Sequence, residues 1–438
     1  MFQPDAESAP VDARRTQQDE RLRDLLRRLA GCDQPFWTER LAEVTPDDVD
    51  GVDDLAALPF TAKPDLRATY PFGMLAVPRD ATVRAHASSG TSGKPTVVAY
   101  TARDVEIFAE VVARSIACAG GRRSDVLHVA YGYGLFTGGL GLHYGGERLG
   151  ATVIPASGGN TDLQLTLLAD LGADGLACTP SFAMLLAERA EADDLQDLRV
   201  RYLICGAEPW SGGFRDRLED AWSALTDRRV VARDIYGLSE VIGPGVAMEC
   251  VEAPGALHVF DDHFLPEIID PHRGTVLPDG ERGELVLTTL TKQAQPVVRY
   301  RTGDVTRLTH GACACGRTHP RIDRLSGRTD DMLVVRGVNV FPREIEAALL
   351  EHQQLNGNWA LVLDHRSTLL RLEVHAEVHG SHVDPQLAAV LAQRLTSRLR
   401  VSSVVVVHPA GTLPRTAVGK VQRVHHRYED AHPLGLPD

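Results

Sequence analysis

Apolar residues follow two alternating periods through the first half of the chain. Short runs of the β type are separated by longer segments in which apolar positions recur at helical spacing. The predicted strands are 96–100, 126–131, 151–156, 175–179, 200–205 and 230–236. Four helices are predicted between these strands. The first has Val105, Phe108, Val112 and Ile116 on one face, and the others extend over about 161–171, 181–192 and 212–224. This alternation predicts βαβ units, and therefore an α/β fold with largely parallel sheets that bind ligands at the carboxyl ends of their strands.

Both ends of the chain depart from this alternation. Near the N-terminus, the leucines within 22–29 recur at helical spacing and predict a helix that docks on the main body. The β-type runs dominate over about 245–326, which predicts a β-rich subdomain, and a compact α+β pattern follows. We therefore predict a large domain over 1–329 and a small one over 330–438, with the boundary near Asp330.

Charge and composition narrow the classes of partner. The 438-residue chain has a formal net charge of −13 and a pI near 5.7. This acidity argues against nucleic acid or an anionic membrane as the main partner. Neither a signal peptide nor an apolar run of membrane-spanning length is visible, so we expect a cytoplasmic protein that acts on small molecules. In that compartment its seven cysteines are expected to be free thiols or metal ligands.

One loop is suited to bind the phosphates of a nucleotide. Its sequence is Ser88-Ser89-Gly90-Thr91-Ser92-Gly93-Lys94-Pro95. The glycines let the backbone approach a polyanion, the hydroxyl and N–H groups donate to phosphate oxygens, and Lys94 adds a positive charge. An ordinary polar turn is the alternative. The spacing differs from the P-loop of nucleotide hydrolases, which has four residues between its glycines, and this argues against a GTPase or kinase-like site.

Four further polar stretches jointly supply what a nucleoside triphosphate needs. They are Gly206-Ala207-Glu208-Pro209, Asp234-Ile235-Tyr236-Gly237-Leu238-Ser239-Glu240, Arg299-Tyr300-Arg301-Thr302-Gly303-Asp304 and Gly327-Arg328-Thr329-Asp330-Asp331. Tyr236 can stack on a base, Glu240 can hold Mg²⁺, and Asp304 can accept hydrogen bonds from a ribose. Arg301 or Arg328 can contact phosphate. Taken singly, each stretch also has a structural interpretation as a turn, a core aromatic residue or a cap.

A second group of residues has the composition of a metal site. Cys250, His258, Cys313 and Cys315 offer three thiols and one imidazole, a set that suits tetrahedral zinc. The two close pairs would join β segments that are far apart in sequence. Four protein ligands leave no open position, so such a metal would be structural. Four uncoordinated residues in a β-rich subdomain are the alternative.

The order and residue sequences of these motifs resemble those of the adenylate-forming superfamily, most closely those of its phenylacetate–CoA ligase family. The resemblance extends from about Leu58 onward and rests on additional stretches. These are Tyr131-Gly132-Tyr133-Gly134-Leu135-Phe136-Thr137-Gly138-Gly139, Ser157-Gly158-Gly159-Asn160-Thr161, Gly237 to Val246, Arg336-Gly337-Val338-Asn339-Val340-Phe341-Pro342 and Pro414 to Arg423. It implies a large N-terminal domain, a small mobile C-terminal lid and, because related ligases carry similar cysteines, bound zinc.

The resemblance also implies a role for each matching residue. Ser88 to Lys94 would hold the ATP phosphates, Gly206 to Pro209 would border the adenine with Tyr236 and Gly237 beside it, and Asp304 would grip the ribose. Ser239 and Glu240 would meet the α-phosphate and Mg²⁺, Arg328 would lie near the nucleotide, Asp330 would be the hinge and Lys420 the catalytic lysine. Gly337 would belong to the loop presented after the lid rotates, and Tyr131, Tyr133, Phe136 and Gly138 would line the aromatic-acid pocket. From composition alone, a solvated side chain is the alternative for Lys420.

The implied reaction is the ATP-dependent conversion of an aromatic carboxylic acid to an acyl-adenylate, followed by transfer to coenzyme A. The acid would be phenylacetate-, benzoate- or cinnamate-like. A carrier protein or another nucleophile is the alternative acceptor. A non-catalytic binding protein on the same fold is a third interpretation, against which Glu240, Asp304 and Lys420 argue. Relatives commonly form homodimers, so we expect one here.

Overall fold

A large mixed sheet and a smaller C-terminal sheet organise the chain. The computed structural model describes residues 1–88, 95–328, 333–335, 338–366, 370–399, 402–415 and 421–436. The helices are α1 Pro4–Glu7, α2 Val11–Ala30, α3 Pro35–Arg40, α4 Lys63–Ala68, α5 Ala102–Cys118, α6 Thr137–Leu149, α7 Thr161–Asp170, α8 Pro180–Ala192, α9 Gly212–Ala224, α10 Pro342–Leu350 and α11 Leu387–Leu399. The strands are β1 Thr82–Ala87, β2 Val97–Thr101, β3 Val126–Val129, β4 Thr152–Ile154, β5 Gly175–Cys178, β6 Tyr202–Gly206, β7 Val231–Leu238, β8 Gly243–Glu249, β9 Ala256–Val259, β10 Phe264–Ile269, β11 Arg282–Thr289, β12 Tyr300–Thr309, β13 Arg321–Asp323, β14 Gly327–Arg328, β15 Leu333–Val335, β16 Val338–Val340, β17 Leu355–Asp364, β18 Arg371–Val378, β19 Val404–His408 and β20 Val424–Arg427.

The large sheet is parallel at one end and antiparallel at the other. Its strand order is β10-β11-β12-β13-β9-β8-β7-β6-β5-β3-β4, with β14 paired to β12. The five strands β4, β3, β5, β6 and β7 pair in parallel. This arrangement confirms the predicted α/β class. The strands that follow residue 245 continue the same sheet in antiparallel pairings, because hairpin connections replace the crossover helices.

One predicted strand lies outside the parallel sheet. The run predicted over 96–100 is observed as β2, which forms a two-stranded antiparallel hairpin with β1 among the strands of the described ranges. The register places Ala87 opposite Val97, so the two strands flank the sequence segment of the predicted phosphate loop. Expecting this run to join the parallel sheet was wrong. Its partner strand β1 precedes it directly, and this local pairing needs no crossover helix.

The C-terminal part has its own sheet and core. Strands β17 and β18 form an antiparallel pair, and β20 and β19 extend it in parallel at the two edges. Helices α10 and α11 cover one face, where apolar side chains such as Leu349, Leu391 and Val374 are buried together. The predicted boundary residue Asp330 lies outside the described residues, so the position of the boundary stays a prediction.

A buried carboxylate fixes the start of α5 against the large sheet. Thr101 Oγ1 accepts the Asp104 N–H (3.1 Å), and Asp104 Oδ2 accepts the Thr101 N–H (2.9 Å), which forms a capping box. The same carboxylate accepts the N–H groups of Gln293 (2.6 Å) and Ala294 (2.8 Å), in the loop after β11. Asp104 therefore joins a helix N-terminus to a loop far away in sequence, and this loop carries Lys292.

The helices give no sign of a membrane span. Across the described ranges, none of them combines the length and apolar character that crossing a bilayer requires.

Candidate active site

The carboxyl ends of three parallel strands are tied together by one hydroxyl group. Tyr131 follows β3, and its hydroxyl donates to the Cys178 carbonyl at the end of β5 (2.7 Å). The same oxygen accepts the N–H of Gly206 at the end of β6 (2.9 Å). Burial raises the pKa of Tyr131, so the hydroxyl stays protonated. Tyr131 was predicted to line the acid pocket, and the structure adds a tethering role at the strand ends.

Tyr236 of β7, Asp304 of β12 and Arg328 of β14 form a hydrogen-bonded group. The Tyr236 hydroxyl donates to Asp304 Oδ2 (2.7 Å), and Arg328 donates to Asp304 Oδ1 (2.8 Å). The β12–β14 pairing places Asp304 directly opposite Arg328. Burial, together with the negative charge of Asp304, raises the pKa of Tyr236. The structure thus brings three of the predicted nucleotide residues into direct contact.

Ser239 and Glu240 lie just beyond the end of β7. Ser239 Oγ is 3.3 Å from Oγ1 of Thr137, the first residue of α6. The Glu240 carboxylate is buried, and Lys63 Nζ lies 3.9 Å from its Oε1. The carboxylate oxygens of Glu240 are suited to bind a hard cation such as Mg²⁺. The neighbouring Lys63 ammonium group is suited to contact a phosphate. Lys63 was not among the predicted site residues.

A buried lysine, Lys292, contacts the backbone of Glu240. Lys292 is 1% exposed, and its ammonium group donates to the Glu240 carbonyl (3.1 Å) and lies 4.9 Å from the centre of the Tyr100 ring. Burial lowers the pKa of Lys292 to about 8, against the opposing charges of Asp104 and Glu240. Lys292 lies among threonine and glutamine residues in a loop, and this local sequence does not reveal that its side chain is buried against Glu240.

Glu208 connects the large sheet to the C-terminal part of the chain. Its Oε2 accepts the Ser181 hydroxyl, and its Oε1 accepts the Val421 N–H (2.9 Å). The preceding Ala207 has a positive φ of 69°, a strained conformation for a residue with a Cβ. Glu208 was predicted to border an adenine, but its carboxylate is engaged by the segment directly after Lys420.

The residues predicted to line an acid pocket form a half-exposed wall after β3. The Tyr133 hydroxyl lies 3.2 Å from His143 Nδ1, and Phe136 is exposed. A Cβ at Gly138 would lie 3.4 Å from Tyr131, so this turn sits close to the Tyr131 ring. The Leu135 carbonyl accepts the Ala87 N–H (3.0 Å), which brings the wall next to the start of the predicted phosphate loop.

Several predicted residues lie outside the described residues. These are Ser89, Gly90, Thr91, Ser92, Gly93, Lys94, Asp330, Gly337 and Lys420. Their described neighbours are Ser88, whose N–H donates to the Thr96 carbonyl (2.9 Å), and Val421. Val421 lies beside Glu208, which follows β6, and Ser88 follows the end of β1.

The lysines of this chain have an unusual distribution. The sequence contains four, Lys63, Lys94, Lys292 and Lys420, whereas arginine supplies every other basic residue apart from histidine. Lys63 and Lys292 contact Glu240. Lys94 belongs to the predicted phosphate loop and Lys420 immediately precedes Val421. By contact or by sequence neighbour, each lysine is therefore associated with one region of the protein.

The structure assembles the four predicted zinc ligands. The ligand atoms of Cys250, His258, Cys313 and Cys315 all lie within 4.8 Å of one another. The Cys250 and Cys313 sulfur atoms are 3.7 Å apart, and Cys315 Sγ is 3.4 Å from His258 Nε2. Cys250 follows β8, His258 lies on β9, and the other two precede β13. This set of donors fits tetrahedral zinc.

Two family models match the chain. An AMP-binding enzyme model matches residues 37–290, and a model of the AMP-binding enzyme C-terminal domain matches residues 337–427. Among curated proteins, the phenylacetate-coenzyme A ligase of Thermus thermophilus is 46% identical over 97% of this chain and 99% of its own length. The protein of the same name from Pseudomonas putida is 48% identical over 96% of both chains.

Solved structures show the same architecture. A 2-hydroxyisobutyryl-CoA ligase in the postadenylation state, in complex with 2-HIB-AMP, superposes with a TM-score of 0.89 at 26% identity, over 97% of this chain and 92% of that one. The same ligase in the thioesterification state, in complex with 2-HIB-AMP and CoA, has a TM-score of 0.71 over the same shares. The arrangement of the two parts of this chain is thus more similar to the postadenylation state of that ligase.

Proposed function

We propose a function from the premise that this chain belongs to the phenylacetate-CoA ligase family of AMP-binding enzymes. In the proposed reaction, the protein joins an aromatic carboxylic acid to coenzyme A and cleaves ATP to AMP and pyrophosphate. The observation that carries this proposal is the convergence of Tyr236, Asp304 and Glu240 with the Val421 segment at one edge of the large sheet. This edge is where parallel sheets bind their ligands.

The nucleotide would lie across the ends of β6 and β7. Tyr236 and the turn at Gly206 would flank the adenine, while Asp304 accepts hydrogen bonds from the ribose hydroxyls. Arg328 already donates to Asp304, so it orients this carboxylate and places a positive charge beside it. The loop from Ser88 to Lys94 would enclose the phosphates, and its starting point beside the acid-pocket wall supports this placement.

The first half-reaction brings two anions together. The substrate carboxylate attacks the α-phosphorus and pyrophosphate leaves, so negative charge must be offset while the new bond forms. Glu240 offers a buried carboxylate that fits Mg²⁺, and a bound Mg²⁺ would neutralise charge on the phosphate oxygens. Ser239 would donate to the α-phosphate, and Lys420 would bring a positive charge to the transferring group.

The second half-reaction requires a different position of the small domain. After rotation about Asp330, Lys420 would leave the site, the loop around Gly337 would replace it, and the coenzyme A thiol would attack the acyl-adenylate. The contact between Val421 and Glu208, and the greater similarity to a postadenylation-state ligase, support assignment of this structure to the adenylation arrangement.

We further propose that Cys250, His258, Cys313 and Cys315 bind a structural zinc ion. The support is the convergence of four N and S ligands from separate segments. The homodimer expected from the resemblance stays a prediction. Transfer to a carrier protein in place of coenzyme A is the second candidate function, and the names of the relatives favour coenzyme A.

A panel of aromatic acids with ATP and Mg²⁺ tests the function. We expect acid-dependent ATP–pyrophosphate exchange from at least one phenylacetate-, benzoate- or cinnamate-like acid, and mass spectrometry should detect the acyl-CoA when coenzyme A is added. Adenylate that accumulates and does not react with coenzyme A would favour the carrier-protein alternative. No exchange with any aromatic acid would contradict the proposal.

Lys420 is the sharpest single test of the mechanism. We expect Lys420→Ala to lower the exchange rate by about 100-fold or more, because the positive charge beside the transferring phosphoryl group is lost. Lys420→Arg is the matched variant that retains the charge, and Gln422→Ala is a control in the same segment. Exchange that is as fast in Lys420→Ala as in the parent would contradict the assigned role.

A further inference from the structure

The outer face of the small sheet carries ionisable side chains where a strand usually exposes surface residues. Along β18, Leu372, Val374 and Ala376 point into the core. Alternation along the strand therefore places Glu373 and His375 on the opposite face. These two residues are nevertheless buried, with 9% and 3% of their surface exposed.

The C-terminal tail covers this face. Leu434 packs with Leu413 against Ala360 and Val362 of β17. In the same tail, His432 has a side chain that is only 5% exposed and lies beside Glu373. The tail therefore encloses a carboxylate and two imidazoles, which we call the tail cluster: Glu373, His375 and His432.

The spacing within the tail cluster is too long for hydrogen bonds. Glu373 Oε2 lies 3.7 Å from His375 Nε2 and 3.9 Å from His432 Nε2. One ligand atom from each of the three residues lies within 4.8 Å of the others. A zinc ion with bonds of about 2.0–2.2 Å keeps its ligand atoms roughly 3.3–3.6 Å apart in a tetrahedron. The two measured separations from Glu373 therefore exceed the tetrahedral range by only a few tenths of an ångström, and modest side-chain movement would place all three ligand atoms around one ion.

His375 has the features of a metal ligand. Its Nε2 is buried and has no hydrogen-bond partner within the described residues. Its Nδ1 lies 3.0 Å from His408 Nε2, so Nδ1–H can donate to His408 and leave Nε2 as the free lone pair. Metal-bound histidines are held in this way by an outer partner. This buried lone pair lies 3.7 Å from the Glu373 carboxylate.

Another glutamate on the same strand provides an internal comparison. Glu377 accepts from Asn356 Nδ2 (3.0 Å) and Arg415 (3.3 Å), and also from the Leu413 N–H. For Glu373, the contacts within the described residues are the two imidazole nitrogens at 3.7 and 3.9 Å. The first carboxylate is satisfied by protein donors, whereas the second is placed to receive a cation.

We propose that Glu373, His375 and His432 bind a divalent transition-metal ion of the zinc type, which fastens the C-terminal tail to the small domain. Two imidazoles and one carboxylate are a donor set that zinc accepts, with water as a fourth ligand. In this structure His432 Nδ1 accepts the Leu434 N–H at 3.3 Å, so coordination through Nε2 would move the ring proton to Nδ1 and end that contact. Because His432 is the ligand from the tail, the ion would cross-link the tail to β18. This site is separate from the cysteine site and independent of the proposed reaction.

Zinc binding in a background without the cysteine site tests the proposal. In Cys313→Ser/Cys315→Ser protein, stripped with chelator and reloaded with zinc chloride, we expect about one equivalent of zinc after gel filtration. Adding His432→Gln or His375→Gln should lower this to less than about a tenth of an equivalent, whereas the exposed His382→Gln should not. A zinc content of this background that His432→Gln leaves unchanged, or the absence of bound zinc from it, would overturn the proposal.

A second measurement does not depend on the cysteine variants. In the parent chain, zinc should slow trypsin cleavage after Arg427 by about tenfold, because the fastened tail shields this bond. The protection should be lost in His432→Gln and retained in His382→Gln. Equal cleavage rates of the parent chain with and without zinc would overturn the proposed link between metal and tail.

Discussion

At the scale of single residues, the site is defined by charges that the protein has already partly compensated. Asp304 is buried and accepts from both Tyr236 and Arg328, so its orientation is fixed before any ligand arrives. Glu240 has its carbonyl held by Lys292, while the ion pair of its carboxylate within the described ranges is with the more distant Lys63 ammonium group. The first arrangement favours recognition, and the second leaves an oxygen atom for a cation.

We expect Asp304→Asn to weaken ATP binding. The substitution keeps the shape but removes the charge that pairs with Arg328, and a hydrogen bond to a charged group contributes about 1.5–3 kcal/mol. The KM for ATP should therefore rise by about 10- to 100-fold. Asp323→Asn, which removes a half-exposed ion pair with Arg307, is the control and should leave this KM unchanged. An unchanged KM for ATP in Asp304→Asn would argue against ribose binding here.

Lys292 makes stability depend on pH in a definable window. Its pKa is lowered from 10.5 to about 8 in the folded state, so the unfolded chain binds more protons between these pH values. The contribution of this residue to stability therefore rises as pH increases from 8 to 10.5, by up to about 3 kcal/mol.

Urea unfolding of the parent and of Lys292→Met, at pH 8 and pH 10, measures this dependence. The free energy of unfolding of the parent, measured relative to that of the variant, should increase as pH rises. Lys63→Met, at a position where the side chain is 39% exposed, is the control and should follow the parent. A difference in unfolding free energy between parent and variant that stays constant from pH 8 to pH 10 would contradict the lowered pKa of Lys292 in the folded state.

At the scale of elements, the sequence predicted those features that depend on local periodicity. The helices over 161–171, 181–192 and 212–224 are observed as α7, α8 and α9, because each has an apolar face with the spacing of a helix. The hairpin of β1 and β2 was not predicted, since strand pairing is not recorded in periodicity. Contacts such as Lys292 with Glu240, or Glu208 with Val421, join distant segments and leave no local pattern.

Glu208 provides a test of how the two parts of the chain are coupled. We expect Glu208→Gln to slow the adenylation half-reaction by about tenfold, because it weakens a charge-assisted bond to the segment that carries Lys420. Thioester formation from supplied acyl-adenylate should be unchanged, since the small domain has then left this position. Glu191→Gln, an exposed residue of α8, is the matched control. Equal losses in both half-reactions would indicate a general structural defect instead.

At the scale of the whole molecule, the cysteine site joins segments that no helix connects. Cys250 follows the central part of the large sheet, whereas Cys313 and Cys315 belong to the loop between β12 and β13. A metal there would reinforce the junction at which β9 and β13 pair. The four ligands could be selected from composition and spacing, but their convergence depends on the register of three antiparallel strands.

Cys313→Ser should remove zinc from the cysteine site and destabilise the protein. We expect the free energy of unfolding to fall by on the order of 2 kcal/mol or more, because one ligand of a structural ion is lost. Thermal unfolding combined with elemental analysis measures both effects. Cys32→Ser, a half-buried thiol near the end of α2, should retain zinc and stability. Parent protein that contains no zinc before any chelator treatment would contradict the assignment.

The distribution of lysines has a practical consequence for covalent chemistry. Reagents that acylate primary amines can modify the N-terminus and four lysines in this chain, and they leave its arginines unmodified. Lys292 is buried, and the other three belong to the region proposed to hold ATP. Labelling of Lys63, Lys94 and Lys420 therefore reports on occupancy of that region, and ATP should suppress it while leaving labelling of the N-terminus unchanged. For the same reason, coupling the protein to a solid support through lysine would block the very groups on which its proposed activity depends.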